Sequence, residues 1–295
     1  MTVDGRLSAW ALAGLLAVLG LVAYGNTLNG GWVWDDASSV LLHKHVQDPG
    51  QFFQLFKEDQ HAFGRGQGNF YRPLVSASFM LDYWLSYNPE KDAAPDLPYP
   101  GGKPLLFHLT STAWHIAAAF FLALLLGRLG APGWVQAATA CVWVLHPLHT
   151  EAVAYISGRA DMMSGTLMFA GLNLALSPAK GRVGALASIG SLLCFVLGLL
   201  SKESSFIYPV LLFLLLFTRA AEVDVARPVF ERRGLIPPIG TVIVLLAYAL
   251  MRLTVLQFAK SGGGSAAAPF LQRVVETLQA FAWYLQLLFW PTHLH

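Results

Sequence analysis

Charge is what this sequence has least of. Of its 295 residues only 12% are Asp, Glu, Lys or Arg, while 55% are hydrophobic. An ordinary soluble domain carries roughly 25% charged residues. Half that density cannot cover the surface of a globule this size, so a soluble fold is excluded. Cysteine is almost missing: Cys141 and Cys194 each sit inside an apolar run. That excludes a disulfide scaffold and leaves two small core residues. A formal net charge of +2 supplies no basic surface for nucleic acid. The sequence also lacks a glycosylation sequon, an internal repeat and a long low-complexity tract. Its apolar runs are continuous rather than alternating, which argues against a closed sheet.

What remains is a set of apolar segments. A membrane helix needs roughly 20 mostly apolar residues to cross about 30 Å of hydrocarbon. The segments Leu7–Tyr24, Pro104–Leu129, Trp134–His149, Met162–Ser177, Val183–Leu200, Phe206–Phe217, Leu235–Met251 and Phe270–Trp290 fit this description. They predict an all-α polytopic membrane protein of about eight spans in a single domain, residues 1–295. Leu7–Tyr24 reads as a retained anchor rather than a signal peptide, because Ala23-Tyr24-Gly25 is a poor cleavage site. With the N-terminus placed in the cytoplasm, the inner connections hold eight basic and four acidic residues, and the outer ones eleven and thirteen. That asymmetry obeys the positive-inside rule.

The outer loop 25–103 is too long and too aromatic for a connector. Gln51–Lys57 and Pro73–Tyr87 are expected to form amphipathic or half-buried helices at the interface. Phe79, Tyr83, Trp84 and Tyr87 would lie in the headgroup layer. Residues 88–103 are proline-rich, and Ser261–Ala268 is a small-residue loop on the same side.

Four polar constellations fall at the outer ends. In Trp32-Val33-Trp34-Asp35-Asp36, a carboxylate partly desolvated beside indole rings suits a general base. A helix N-cap explains one Asp but not two. In Asn69-Phe70-Tyr71-Arg72-Pro73, Arg72 could clasp a phosphate or simply reach for headgroups. His146-Pro147-Leu148-His149-Thr150-Glu151, with Gly158-Arg159-Ala160-Asp161 after it, places two His three apart near an acid. A divalent metal is not favoured there, because Pro147 disturbs the helix and no fourth ligand is evident. A hydrogen-bonded cluster fits better, with Arg159 and Asp161 paired or facing an anion. In Ser201-Lys202-Glu203, an ionisable pair at a membrane edge is a functional candidate or a mutual ion pair. Arg252 is a weaker fifth candidate. Carboxylates and cations converging on one face describe a site for a phosphorylated, lipid-anchored substrate, with cations holding the leaving phosphate and a carboxylate activating the nucleophile.

The order and spacing of Gly31-Trp32-Val33-Trp34-Asp35-Asp36, Tyr71-Arg72-Pro73-Leu74, His146-Pro147-Leu148-His149-Thr150-Glu151-Ala152-Val153, Gly158-Arg159-Ala160-Asp161 and Ser201-Lys202-Glu203 resemble a known family. It is the membrane module of the transmembrane O-mannosyltransferases that act on cadherins, with their bacterial relatives, within the GT-C glycosyltransferases. The resemblance implies transfer of mannose or a similar hexose from a polyprenyl-phosphate donor to a protein or glycan acceptor hydroxyl on the periplasmic or lumenal side. It implies that Asp35 or Asp36 is the base and that the anomeric carbon inverts. Arg72, Arg159 and Lys202 are the matching basic positions and are assigned here to the donor phosphate. Tyr71, His146, His149, Glu151, Asp161 and Glu203 form the supporting polar cluster. No cofactor is carried over. Members of that family usually continue past this point with further helices and often tetratricopeptide repeats, so the chain reads as a fragment or a reduced homologue. The alternative function is a non-catalytic scaffold within a larger membrane complex. A secondary transporter is disfavoured, because the charges avoid the midplane.

Overall fold

Run length and proline placement decide where this chain is helical and where it turns. The computed structural model describes residues 8–64, 69–86, 104–222, 236–254, 256 and 269–291. Helix α1 (Ala9–Tyr24) starts where the Ser8 hydroxyl accepts the Ala11 N–H at 3.1 Å, ordinary N-cap chemistry. The outer loop follows and carries a 3-10 helix at Pro49–Lys57 and helix α2 (Pro73–Ser86). Then come α3 (Leu105–Arg128), α4 (Gly133–Leu145), the short α5 (Thr150–Ala154), α6 (Arg159–Ala175), α7 (Gly181–Leu199), α8 (Tyr208–Glu222), α9 (Ile236–Thr254) and α10 (Phe270–Phe289). Among the described residues there is no strand. The protein is an all-α polytopic membrane protein.

A helix lies on each expected span, but four are long and apolar enough to cross a membrane: Ala9–Asn29, Leu105–Arg128, Gly181–Leu199 and Pro237–Thr254. Gly133–Leu145 and Glu203–Thr218 are shorter apolar helices. The third expected span, Trp134–His149, ends early at Leu145 because Pro147 pushes His146 to extended backbone (φ −68°, ψ 125°). His146 and His149 therefore do not share a helix face. Instead the chain makes a 3-10 turn, Pro147–His149, before α5. Residues 88–103 and Ser261–Ala268, together with Tyr87, lie outside the described residues.

The helices α3, α6 and α7 form the centre, with α1 and α4 against α3, and α8 and α9 against α7. Close approach is set by small residues, as expected where the surrounding lipid offers no hydrophobic drive. A side chain at Gly171 would meet the Tyr208 hydroxyl at 2.9 Å and Cys194 Cβ at 3.0 Å. Polar side chains inside the bundle bond across helices. Asn173 donates to the Phe121 and Phe169 carbonyls (2.8 and 2.9 Å) and accepts from Arg128 Nε (3.1 Å). Tyr208 meets Ser191 at 2.7 Å.

Helix α2 corrects the sequence reading. Phe79 and Tyr83 do not lie among headgroups. They are buried in a core with Val40, Leu55, Phe107 and Met163, while Trp84 stays exposed. The Leu74 N–H donates to the Leu200 carbonyl at 3.1 Å, strapping the start of α2 to the end of α7. Every polar motif is thereby gathered at one end of the bundle, where α1, α4 and α7 finish and α3, α6 and α8 begin.

Candidate functional site

The two adjacent aspartates have different fates. Asp36 is fully buried and accepts three hydrogen bonds: from the Val33 N–H at 3.0 Å, and from the Ser157 N–H and hydroxyl at 2.9 Å each. It pins the outer loop to the turn that precedes α6. Burial pushes its carboxyl above the usual carboxylate range, those three bonds pull it back, and the neighbouring Asp35 charge adds to the rise. Asp35 is exposed, and among the described residues its carboxylate accepts no hydrogen bond. Only its backbone is held: the N–H donates to the Tyr155 hydroxyl (3.1 Å), and the carbonyl accepts from Ser38 Oγ (3.0 Å). Trp34, just before it, sits at φ +45°, uncommon for a bulky residue. Its ring meets Tyr155 edge-on at 5.7 Å. The doublet thus consists of one structural anchor and one carboxylate held out into the open.

The basic residues also separate. Arg72 Nη2 and Nε donate to Glu203 Oε2 at 3.1 and 3.3 Å, and its guanidinium lies 4.8 Å from the centre of the Phe70 ring. Lys202 pairs with Asp161 at 2.5 Å. Both pairs are partly open, with Asp161 42% and Glu203 33% exposed. Arg159 is different. It is completely buried and pairs with Asp82 at 2.6 Å. Its remaining donors go to Ser111, Ser78 and the Phe107 carbonyl, and it stacks 4.7 Å over Phe79. With every nitrogen engaged and no exposure, Arg159 holds the bundle together and is withdrawn from the donor-phosphate set. Asp82 in α2, a lone acid on an otherwise apolar helix, was the signal that a buried partner existed.

The histidine motif is structural in geometry. His146 Nε2 donates to the Leu288 carbonyl at 3.0 Å, while Nδ1 accepts the Leu148 N–H at 3.2 Å. His149 lies between Trp143 (4.6 Å) and the buried His115 (5.1 Å). Glu151 is exposed in the first turn of α5, where a negative charge suits the helix N-terminus. Tyr71 is buried and donates to the Phe56 carbonyl at 3.1 Å. Among the described residues no group of three or more His, Cys, Asp or Glu side chains is placed to hold a metal.

Two histidine features of the outer loop had no sequence signal, and the weaker candidate Arg252 turns out to brace that loop. His61 Nδ1 lies 2.9 Å from the Ser38 hydroxyl, which in turn is 3.0 Å from the Asp35 carbonyl. Arg252 reaches from α9 to the Asn69 carbonyl and side chain (3.0 and 2.9 Å). His43 is buried, with Nε2 3.6 Å from Glu58 Oε1, and His45 holds Glu58 Oε2 at 2.8 Å. His43 gives a pH prediction. Burial, aided by His45 and His61, pushes it from 6.5 down to about 4, with backbone hydrogen bonds at His43 and Asp59 opposing. Its contribution is complete above pH 6.5 and is lost as pH falls towards 4, roughly 3 kcal/mol for His43 alone. Glu58, raised chiefly by burial, acts with the opposite sign and blunts the net slope. His43→Asn keeps the acceptor for the Val46 N–H but cannot titrate. Thermal unfolding between pH 7 and 4.5 should fall more steeply for the parent protein than for the variant; identical slopes would refute the assignment.

A helical membrane bundle with open carboxylates and cations at one end defines an integral membrane protein with an ionisable cluster at one end of its bundle. Three curated relatives are similar to it. The protein O-mannosyl-transferase Tmtc1 of Drosophila melanogaster is 31% identical over 168 residues, 55% of this chain and 18% of that protein. The protein O-mannosyl-transferase TMTC3 of Mus musculus is 28% identical over 184 residues, 60% and 18% of the two chains. The protein O-mannosyl-transferase TMTC1 of Homo sapiens is 30% identical over 179 residues, 58% and 19%. The chain thus spans about a fifth of the length of the curated relatives it matches. No protein-family profile and no solved structure matches it. These similarities are consistent with the transmembrane O-mannosyltransferase family that the sequence motifs resemble.

Proposed function

We propose that this chain is a membrane glycosyltransferase module that moves a hexose from a polyprenyl-phosphate donor to an acceptor hydroxyl. The N-terminus is cytoplasmic and the reacting face periplasmic or lumenal. The observation that carries this reading is the exposed Asp35 carboxylate, which accepts no hydrogen bond among the described residues and is held by its backbone at the same end of the bundle as Arg72 and Lys202. A carboxylate so placed accepts the acceptor's hydroxyl proton as the oxygen attacks the anomeric carbon. The new C–O bond forms as the bond to the phosphate oxygen breaks, the electron pair leaves with the polyprenyl phosphate, and the configuration inverts. Arg72, whose Nη1 makes no hydrogen bond among the described residues, and Lys202 hold the charge that develops on the leaving phosphate. The names of the relatives support mannose as the sugar and a protein as the acceptor.

Reconstitution in vesicles with a radiolabelled polyprenyl-phosphate hexose and an acceptor peptide tests this. Label should reach the peptide, and Arg72→Ala should weaken donor binding roughly tenfold or more, the value of one charge-assisted pair. A protein that neither transfers label nor binds the donor would instead be a scaffold.

A further inference from the structure

Helix α10 stands apart from the rest of the bundle. Its 20 residues are enough to cross a bilayer, yet it is not among the helices apolar enough to do so. None of its residues is buried. Its sequence explains why. Phe270, Val274, Leu278, Phe281, Leu285 and Leu288 recur every three or four positions and form one continuous stripe. Gln272, Glu276, Gln279 and Gln286 keep the same spacing on the opposite side, and Gln272 donates to Glu276 at 2.8 Å. No protein covers the stripe: Leu278 and Phe281 are 63% and 61% exposed. Run through the middle of a bilayer, the glutamine face would set amides in hydrocarbon with nothing to bond.

Both ends of α10 are held at the motif-bearing end of the bundle. In its last turn the Leu288 carbonyl accepts from His146 Nε2 at 3.0 Å, just past the end of α4. At its start the constraint is chain length. Helix α9 finishes at the motif end, where Arg252 reaches Asn69, and the twelve residues 257–268 lead from there to Pro269. Twelve residues of helix advance about 18 Å, short of roughly 30 Å of hydrocarbon. Twelve extended residues would leave backbone groups unpaired in lipid. Neither route carries Phe270 to the far side. Helices α7 and α9 have 19 residues each, about one bilayer of length, so their ends mark where hydrocarbon gives way to headgroups. Helix α10 is held at that boundary.

We propose that α10 is a monotopic helix that lies along the membrane surface, its apolar stripe seated in the bilayer and its glutamine face in water. Tyr284 stands between the two faces, where a ring with one wet end belongs. Arg273 and Glu276 are the only charged residues of the helix and cancel. The surface it takes is therefore that of a zwitterionic bilayer rather than an anionic patch. The tie through His146 sets the headgroup plane level with the histidine turn. The expected eighth span, Phe270–Trp290, is then not a span, and this seat holds whatever the motif end binds.

Nitroxide labels test this on the full chain in phosphatidylcholine nanodiscs. Cys141→Ala and Cys194→Ala remove the native thiols and keep their Cβ atoms. Single cysteines are then placed on the stripe by Leu278→Cys, Phe281→Cys or Leu285→Cys, and opposite it by Gln272→Cys, Gln279→Cys or Gln286→Cys. All these positions are exposed, so the labels displace no packing. The stripe labels should meet dissolved oxygen at one shallow depth, about 5–10 Å, and the glutamine-side labels should meet a water-soluble nickel chelate. A spanning helix would instead change depth by about 10 Å between Leu278 and Leu285 and carry Gln279 into the oxygen-rich interior. That profile overturns the proposal. So do stripe labels that neither reagent reaches, the mark of a protein helix on that face, whether a second copy or another chain. Stripe labels that meet the chelate as freely as the glutamine side does overturn it as well.

Discussion

Asp35→Asn should abolish sugar transfer, by 10²- to 10⁴-fold, the range that a positioned general base contributes, and leave the protein folded. The carboxylate accepts no hydrogen bond among the described residues, and the loop that carries it is held through its backbone by Tyr155 and Ser38. An amide is isosteric there and takes no proton. Asp36→Asn should behave in the opposite way. The sequence gives no reason to distinguish the two substitutions, and both look harmless to folding. Yet Asp36 accepts three hydrogen bonds in a fully buried position. An Asn turned to serve Ser157 points its NH₂ at the Val33 N–H, leaving donors facing each other. The cost should be about 1–3 kcal/mol, with activity falling as the loop loosens. Initial transfer rates and thermal unfolding of both variants, side by side, check this. Full activity in Asp35→Asn would remove Asp35 as the base, and loss of activity in Asp36→Asn without loss of stability would move the role to Asp36.

Arg159→Met should destabilise the bundle by about 3–5 kcal/mol, the cost of breaking a buried pair by removing one partner. Asp82 would be left 4% exposed with its strongest partner gone, while the Ser78, Ser111 and Phe107 acceptors would lose the guanidinium that joins them. The double variant Arg159→Met, Asp82→Leu should recover most of that loss, because two apolar side chains of similar bulk replace a pair whose desolvation offsets its attraction. Denaturant unfolding in detergent supplies the stabilities. The same variants decide the role of Arg159: the double variant should bind a polyprenyl-phosphate donor as the parent does. A stable double variant that no longer binds donor would restore Arg159 to the phosphate set.

The apolar helices were legible because an apolar run is a local property, although only four of them are long enough to span; the gathering of the motifs at one end follows from counting alternate turns. What could not be read were distinctions made by distant partners. Asp35 and Asp36 look alike until Ser157, 121 residues further on, selects one of them. Arg159 was placed at the correct end of its helix, but the pocket that swallows it is assembled from α2 and α3. His61 lies in Asp59–Gly64, which carries no motif and no periodicity. Its neighbours Ser38, Ser39 and Phe70 meet it only after the loop closes. Phe79 and Tyr83 misled for the same reason: aromatic residues on a half-apolar helix suit a headgroup layer or a protein core equally well.

The open ion pairs Arg72–Glu203 and Lys202–Asp161 have a consequence for turnover. Each cation rests on a carboxylate of its own chain, so any arriving phosphate must displace an occupant that is tethered and never diffuses away. That internal competitor weakens the hold on every anion alike, and in the proposed reaction on a spent polyprenyl phosphate too. Under the proposed reaction, Glu203 and Asp161 would re-close on their cations once the sugar had gone, limiting product inhibition and handing the carrier lipid back to the bilayer.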